Sequence, residues 1–246
     1  MKNISLGLVI LPLLIISCTT DTLDTADTLD SKISSKKSEK AARLVQNLTP
    51  ENPANVYDYA GKLHNDILEA YLAGNYQYST IVQISEQVQA IAAANSDVAL
   101  LNLERNLPDN LEEIQEIINN PDAKLDEAIT NSSMTSAAKI SLSSFMNAAL
   151  LWGNEEYGAI YQSIISYESA VMTNTNFSDE DKRIILTTSS IARYSIYYDK
   201  KPPYDEDWET SVGNRVGAVS GAVDNSLTAI SRSLITGIML SNLVTD

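Results

Sequence analysis

The chain has 246 residues, of which 44% are hydrophobic and few are glycine or proline, a composition that permits one sizeable core and predicts one folded domain. Its formal net charge of −15 disfavours binding to nucleic acid and to anionic lipid headgroups. A single cysteine, Cys18, excludes a disulfide framework, and a single histidine, His64, excludes zinc sites built from several histidines.

Residues 1–17 have the features of a bacterial export signal. Lys2 precedes an apolar run over 4–16 that is shorter than the roughly 20 residues of a bilayer-spanning helix. The residues Ile15, Ser17 and Cys18 resemble the lipobox of bacterial lipoproteins. In that family the signal peptide is removed and the cysteine is acylated with palmitate or a similar chain. The resemblance implies a lipid anchor on Cys18.

The residue after the cysteine bears on localisation. Thr19 stands where the inner-membrane retention signal of enteric lipoproteins has aspartate, so by resemblance we expect the outer membrane, with the domain facing the periplasm or the surface. Two or more acyl chains hold a protein firmly to a bilayer. The membrane is therefore an expected partner through the lipid anchor alone.

Residues 18–45 differ in composition from the rest of the chain. They are rich in Thr, Asp, Ser and Lys, and the sequence Asp-Thr-Leu-Asp at 21–24 recurs at 27–30. Such a segment cannot bury enough apolar area to fold by itself. We predict a flexible acidic tether between the lipid and the domain.

Past Asn47, apolar residues recur at intervals of three and four, which is typical of amphipathic helices. The stripes at 63–72 and 81–92 predict the first two helices. No strand-like alternation of comparable length appears. We predict an all-α, bundle-like domain over 46–246.

Prolines and glycines divide the middle of the chain. Pro108 and Pro121 bracket a short predicted helix. Gly153 separates two runs, 134–152 and 160–171, whose spacing predicts a helical hairpin.

A capping box marks the next helix. Ser178 and Asp181 match this motif, with aspartate in the glutamate position, and predict a helix that reaches past Tyr194. The prolines at 202–203 end it. The last segment, 205–243, keeps helical spacing over most of its length and predicts one final helix.

His64 is the weak candidate for catalysis. It could act as a general base with Asp58 or Asp66 nearby, as a hydrolase requires. The alternative is a hydrogen-bonded histidine at a packing boundary. No serine or cysteine nucleophile motif accompanies it, which favours the structural alternative.

Three groups of carboxylates could suggest a metal site. Two of them open predicted helices, where unpaired amide groups stabilise negative charge, so capping explains them. No calcium-loop pattern and no phosphate-binding loop is present, and we predict no metal and no cofactor. The groups are Glu112, Glu113 and Glu116; Asp179, Glu180 and Asp181; and Asp205, Glu206, Asp207 and Glu209.

Gly213, Gly217 and Gly221 follow one another at intervals of four in the predicted final helix. Glycines in one row let a second helix approach closely. Packing inside the domain is one explanation, and insertion or association at a membrane is the other. Asp224 and Arg232 interrupt the segment, which favours packing.

Aromatic residues cluster late in the chain. Tyrosine and tryptophan often mark surfaces that contact sugars or proteins. Half-buried tyrosines that close the end of the bundle are the alternative. The cluster comprises Tyr194, Tyr197, Tyr198, Tyr204 and Trp208.

Two segments are similar to uncharacterised Bacteroidota cell-envelope lipoproteins. This resemblance implies an envelope location and brings no activity with it. The segments are Asn52-Pro53 with Tyr57-Asp58-Tyr59-Ala60-Gly61-Lys62-Leu63-His64-Asn65, and Ser190-Ile191-Ala192-Arg193-Tyr194-Ser195 with Tyr197-Tyr198.

The leading hypothesis is a lipid-anchored envelope protein that acts as a binding or interaction module for an unknown envelope protein or glycan. The alternatives are a hydrolase that uses His64 and a membrane-active or antagonism-related protein that uses the glycine-rich C-terminal helix.

Overall fold

The computed structural model describes residues 48–100, 110–200 and 212–244, and throughout these ranges the regular structure is helical without strands. The prediction of an all-α domain is therefore confirmed. The signal peptide, Cys18 and the tether lie outside the described residues. So do Tyr204, Trp208 and the acidic group at 205–209.

Five α-helices form the first half of the described chain. Their starts follow capping chemistry: the Asn110 side chain accepts hydrogen bonds from the amides of Glu112 and Glu113. The helices are α1 (Asp58–Ala73), α2 (Ile81–Ala94), α3 (Ser96–Leu100), α4 (Leu111–Asn119) and α5 (Pro121–Asn131).

Pro121 has a different role from the predicted one. It was expected to close the short helix after Pro108, but it occupies the first turn of α5. Proline is favoured there because its missing amide hydrogen would have no partner in any case. The chain therefore starts a second helix at once, and this helix was not predicted.

The second half contains α6 (Ser136–Ala149), a 3₁₀ turn (Trp152–Asn154), α7 (Tyr157–Thr173) and α8 (Asp179–Lys200). The predicted hairpin of α6 and α7 is held by side chains, since the ring of Tyr167 stacks on Phe145 with centroids 4.6 Å apart. The capping box that opens α8 is confirmed. The amide of Asp181 donates to Ser178 Oγ at 3.0 Å, and the amide of Ser178 donates to Asp181 Oδ2 at 2.9 Å.

The predicted final helix is two helices, α9 (Val212–Asp224) and α10 (Ser226–Val244). Asn225 separates them, and its side chain accepts hydrogen bonds from the amides of Leu227 and Thr228. These bonds start a new helix and let the chain reverse. Residue spacing alone did not show the break because the apolar pattern continues across it.

The hairpin of α9 and α10 is the centre of the bundle. Nearly every residue over 213–222 and 228–238 is buried. Helices α1, α2, α4, α5 and α8 pack around it. A hairpin buried on all faces explains why this segment is rich in small and apolar residues.

Candidate functional site

A polar cavity of about 300 Å³ lies where α4, α5, α9 and α10 converge. Its rim is exposed, whereas Ser132, Ser220 and Arg232 in its wall are buried. Only two of the lining residues, Ala128 and Val223, are apolar. The lining is therefore mainly polar, with three buried polar side chains behind an exposed rim. The other lining residues are Asn110, Glu113, Glu127, Asn131 and Asp224.

Arg232 is the central residue of the cavity. It is 6% exposed, although its side chain carries a charge. Its Nη1 donates to Ser220 Oγ at 2.7 Å, and its Nη2 donates to Asp224 Oδ2 at 3.0 Å. Its Nε has no acceptor among the described residues. The two hydrogen bonds therefore orient the guanidinium, and its third donor stays unpaired. A buried donor without an acceptor costs about 1–3 kcal/mol.

The hydrogen-bond network continues from Arg232 onto α4. Ser220 Oγ donates to Glu113 Oε1 at 3.0 Å, which connects the guanidinium through a hydroxyl to a carboxylate. Lys124 lies beside this network and pairs with Glu127 Oε2 at 3.0 Å and with Glu116. Four helices therefore contribute to one network of charged and polar side chains.

The side chains that line this cavity are mainly hydrogen-bonding groups. Its lining includes two serines but no histidine or cysteine that could activate them. Within the described ranges, no group of three His, Cys, Asp or Glu residues is placed to hold a metal ion. Carboxylates, amides, hydroxyls and one guanidinium instead provide donors and acceptors for a polar ligand.

His64 lies on α1 at the centre of the bundle and is fully buried. Its Nε2 is 3.1 Å from Ser233 Oγ on α10. That hydroxyl also contacts the backbone oxygen of Asn214 at 3.0 Å and the side-chain oxygen of the same residue. The structure thus brings His64 to a serine 169 residues away in the sequence, which sequence reasoning missed.

The geometry around His64 favours the structural role. Burial lowers its pKa to about 3, so the ring is neutral near neutral pH but far too weak a base for catalysis there. Nδ1 has no partner among the described residues, so no carboxylate orients the ring as in a catalytic triad. Asp58 and Asp66, the acids proposed to assist it, bond elsewhere, to Arg193 and Lys62.

The glycine row packs α9 against α10. A Cβ on Gly217 would lie 2.7 Å from the carbonyl oxygen of Arg232, and one on Gly221 would overlap the backbone at Thr228 and Ala229. The carbonyl of Gly213 accepts a 3.0 Å hydrogen bond from Thr236 Oγ1. Close approach inside the bundle therefore accounts for Gly217 and Gly221.

Tyr194 is not part of an exposed aromatic surface, contrary to the proposal from sequence. It is 4% exposed, and its hydroxyl donates to Asp58 Oδ2 at 3.1 Å. Its contacts with Asp58 and Gly61 place it against α1. Tyr197 and Tyr198 are half-buried and pack on the core, with the Tyr197 ring 5.2 Å from that of Tyr157.

A buried ion network between α1, α7 and α8 was also missed. Arg193 Nη2 lies 2.6 Å from Asp58 Oδ1 and 3.3 Å from Glu168 Oε1, and Arg193 and Glu168 are both fully buried. Glu168 also accepts hydrogen bonds from Ser189 Oγ at 2.9 Å and from the Asn52 side chain. This network is enclosed and stabilises the bundle where the chain enters it.

The acidic residues at the starts of α4 and α8 lie in the first helical turn, as predicted, and some of them make additional contacts. Asp181 accepts hydrogen bonds from the amide and hydroxyl of Thr135 at 2.8 and 2.9 Å. Burial raises the pKa of Asp181, but the hydrogen bonds from Ser178 and Thr135 outweigh it and hold this pKa below its usual value. Glu113 contributes to the cavity.

One signal in the sequence could have pointed to the cavity. Arg232 shares a face of α10 with Ala229 and Ile235, which are fully buried. A charge in register with core residues requires a partner or a function. From the sequence, this charge was interpreted only as an obstacle to membrane insertion.

No helix in the described ranges combines the length and apolar character needed to cross a bilayer. Comparison with protein-family models, with curated proteins and with solved structures found no match to this chain.

Proposed function

We propose that the chain is a lipid-anchored cell-envelope protein whose helical domain is a binding module on a tether. The polar cavity around Arg232 carries this proposal, because it combines a buried and fixed guanidinium with open access and has no activated nucleophile. Such a site binds a partner without transforming it. The partner is a component of the envelope, a protein or a glycan.

The sequence of the first 45 residues supports the anchor. The lipobox residues Ile15, Ser17 and Cys18 follow an export-type apolar run. A flexible chain of the length of 18–45 extends roughly 30 Å, which would hold the domain away from the lipid surface. Membership of the Bacteroidota lipoproteins and location at the outer membrane belong to the same proposal.

The hydrolase alternative has one observation in its favour, the contact between His64 and Ser233. Both residues are fully buried, and a substrate could reach them only if the central hairpin opened. The membrane-active alternative was based on the glycine row, and packing of α9 on α10 already accounts for Gly217 and Gly221. The binding module is therefore preferred.

Metabolic labelling tests the anchor. Cells grown with an alkyne analogue of palmitate should label the wild-type protein, and the label and the protein should appear in the membrane fraction. Cys18→Ser should be unlabelled and leave that fraction, whereas Ser17→Ala, which keeps a small residue, should be labelled normally. Labelling of Cys18→Ser would refute the anchor.

Cross-linking in intact cells tests the binding role of the cavity. The wild-type protein and the control Asp126→Asn, an exposed residue of α5 outside the lining, should capture the same partner. The double variant Glu127→Gln with Asp224→Asn should capture much less. Equal capture by all three proteins, or capture by none, would contradict the proposal.

A further inference from the structure

We infer that the domain rests on a lipid bilayer through the exposed side chains of Ile140, Leu150 and Leu151, on α6 and the turn that follows it. The opposite face of α6 is buried in the core, so the contact is superficial and involves the outer face alone. The inference rests on the proposed lipid anchor, which would keep the domain close to one bilayer. It adds the face that the domain turns towards that bilayer.

The outer face of α6 carries an apolar patch. Leu151 is 78% exposed, the highest value among the large apolar side chains of the described residues, and Ile140 and Leu150 are 68% and 51% exposed. The backbone keeps helical dihedral angles through Leu150 and Leu151, and Ile140 lies about three turns before Leu151. Only the uncharged Ser144 and Asn147 lie between them on the exposed face. The exposed apolar residues therefore share one side of the helix.

This face is free of carboxylates in a strongly acidic protein. Residues 132–154 contain no aspartate or glutamate, although the whole chain has 32 such residues and a net charge of −15. Lys139 is the one charged residue of this range, and its ammonium group donates to the backbone oxygen of Thr130 at 2.6 Å. The outer face of α6 thus lacks the negative charge that repels phosphate-bearing headgroups elsewhere on the protein.

Two cations lie at the end of α6. The ammonium group of Lys200 donates to the backbone oxygen of Gly153 at 2.5 Å, and the guanidinium of Arg215 donates to that of Ala149 at 3.3 Å. They place positive charge at the turn that carries the two leucines, opposite in sign to the exposed carboxylates at 155–156. This charge favours an approach of the turn to lipid headgroups.

The size of the patch favours a bilayer over a protein partner. The outer face from Ile140 to Leu151 is about 16 Å long and about 10 Å wide, or roughly 160 Å². A stable protein complex buries about 800 Å² on each partner. A bilayer sets no such minimum, because each apolar side chain that enters the interface contributes by itself. The anchor would also make this contact intramolecular, which strengthens a weak interaction.

Fluorescence quenching tests the inference on the intact lipidated protein, reconstituted into phosphatidylcholine vesicles. Trp152 follows Leu151, and Trp208 is the only other tryptophan of the chain, so Trp208→Phe leaves a single reporter beside the patch. Bromine atoms on the acyl chains quench tryptophan only at short range. We expect the emission of Trp152 to be quenched in brominated vesicles relative to unbrominated ones.

Variants in the Trp208→Phe background locate the contact. Leu150→Ser with Leu151→Ser should abolish the quenching, since two apolar side chains no longer enter the interface. Val56→Ser with Val82→Ser is the matched control, because these side chains are 74% and 50% exposed but lie on other elements, and it should be quenched normally.

Ile140→Asp is an independent variant of the same face. It places a charge that must stay in water in the middle of the exposed surface of α6, and it should also reduce the quenching. Circular dichroism confirms that each variant is folded.

The inference fails if Trp152 is not quenched, or if the leucine double variant is quenched as strongly as its parent. Flotation of the same vesicles separates this failure from that of the anchor. Protein that floats without quenching would overturn the bilayer contact alone, whereas unquenched protein in the soluble fraction would overturn both proposals. A dimer that depends on the two leucines, in place of quenching, would assign the patch to a second copy of the chain and overturn the inference.

Discussion

Arg193 on α8 lies 2.6 Å from Asp58 in the first turn of α1. This contact links the first described α-helix to the longest one. The same guanidinium contacts the buried Glu168 of α7. Burial by itself would lower the pKa of Arg193, but Glu168 and Asp58 together raise it above its usual value. The Arg193 guanidinium therefore remains charged inside the bundle.

Arg193→Met should destabilise the domain strongly. Removal of the guanidinium leaves the buried Glu168 without its cation, and breaking a buried pair typically costs about 3–5 kcal/mol. Urea unfolding followed by circular dichroism measures the change. Lys62→Met is the control, because it removes exposed pairs with Asp66 and Asp97 and should cost about 1 kcal/mol or less. Similar losses in both variants would contradict this account.

Gly221→Ala should destabilise the central hairpin even though alanine favours helices. The added methyl group would overlap the backbone at Thr228 and Ala229, and overpacking of this kind costs about 1–3 kcal/mol. Gly153→Ala is the control, since a Cβ there meets nothing within 4 Å. Thermal unfolding of both variants tests the prediction, and an unchanged melting temperature for Gly221→Ala would show that the hairpin is looser than described.

Stability should decrease below about pH 6.5 because of His64. Its pKa is about 3 in the folded protein, so between these values the unfolded chain binds a proton that the folded protein does not. The free energy of unfolding should thus fall by about 1.4 kcal/mol per pH unit from this residue, with full stability above the unfolded pKa.

Comparison of the wild type with His64→Gln between pH 7 and 5 isolates this effect. Most carboxylates remain ionised over that range, and the variant has no imidazole to protonate. Its unfolding free energy should be nearly independent of pH there. Parallel pH profiles for the two proteins would show that His64 is accessible to solvent.

Asp181→Asn should weaken the start of α8 and its contact with Thr135. Both carboxylate oxygens of Asp181 accept hydrogen bonds, whereas asparagine has a single acceptor oxygen, so at least one of these bonds is lost and we expect a loss of about 1–3 kcal/mol at neutral pH. Because the folded pKa of Asp181 is lowered, this stabilisation is present above the unfolded pKa and disappears as the pH falls through the folded one. The exposed Asp179 in the same turn is the control, and Asp179→Asn should change stability little.

Local patterns predicted much of the secondary structure. The capping box of Ser178 and Asp181 was recognised because both partners lie within four residues. The role of Pro121 and the break at Asn225 were missed, since each depends on a change of chain direction that leaves the apolar spacing intact. The distance between interacting residues decided what could be predicted.

The same limit applied to the sites. His64 and Ser233 are separated by 169 positions, and Ser220 and Glu113 by 107, so no spacing in the sequence relates them. Gly217 and Gly221 were predicted to allow a close approach, and the structure identifies the neighbour as α10. Arg232 was noticed only as a charge that interrupts an apolar segment.

The amino-acid sequence alone determined the helical class, the start of the helix at Asp179 and the expectation of a lipid anchor at Cys18, because these depend on contacts or motifs within a few residues. The tertiary structure decided that α9 and α10 form the central hairpin, that Tyr194 is buried, and that Arg232 lines the same cavity as three carboxylates. Those outcomes depend on which helices pack together, and packing joins residues that the chain itself keeps far apart.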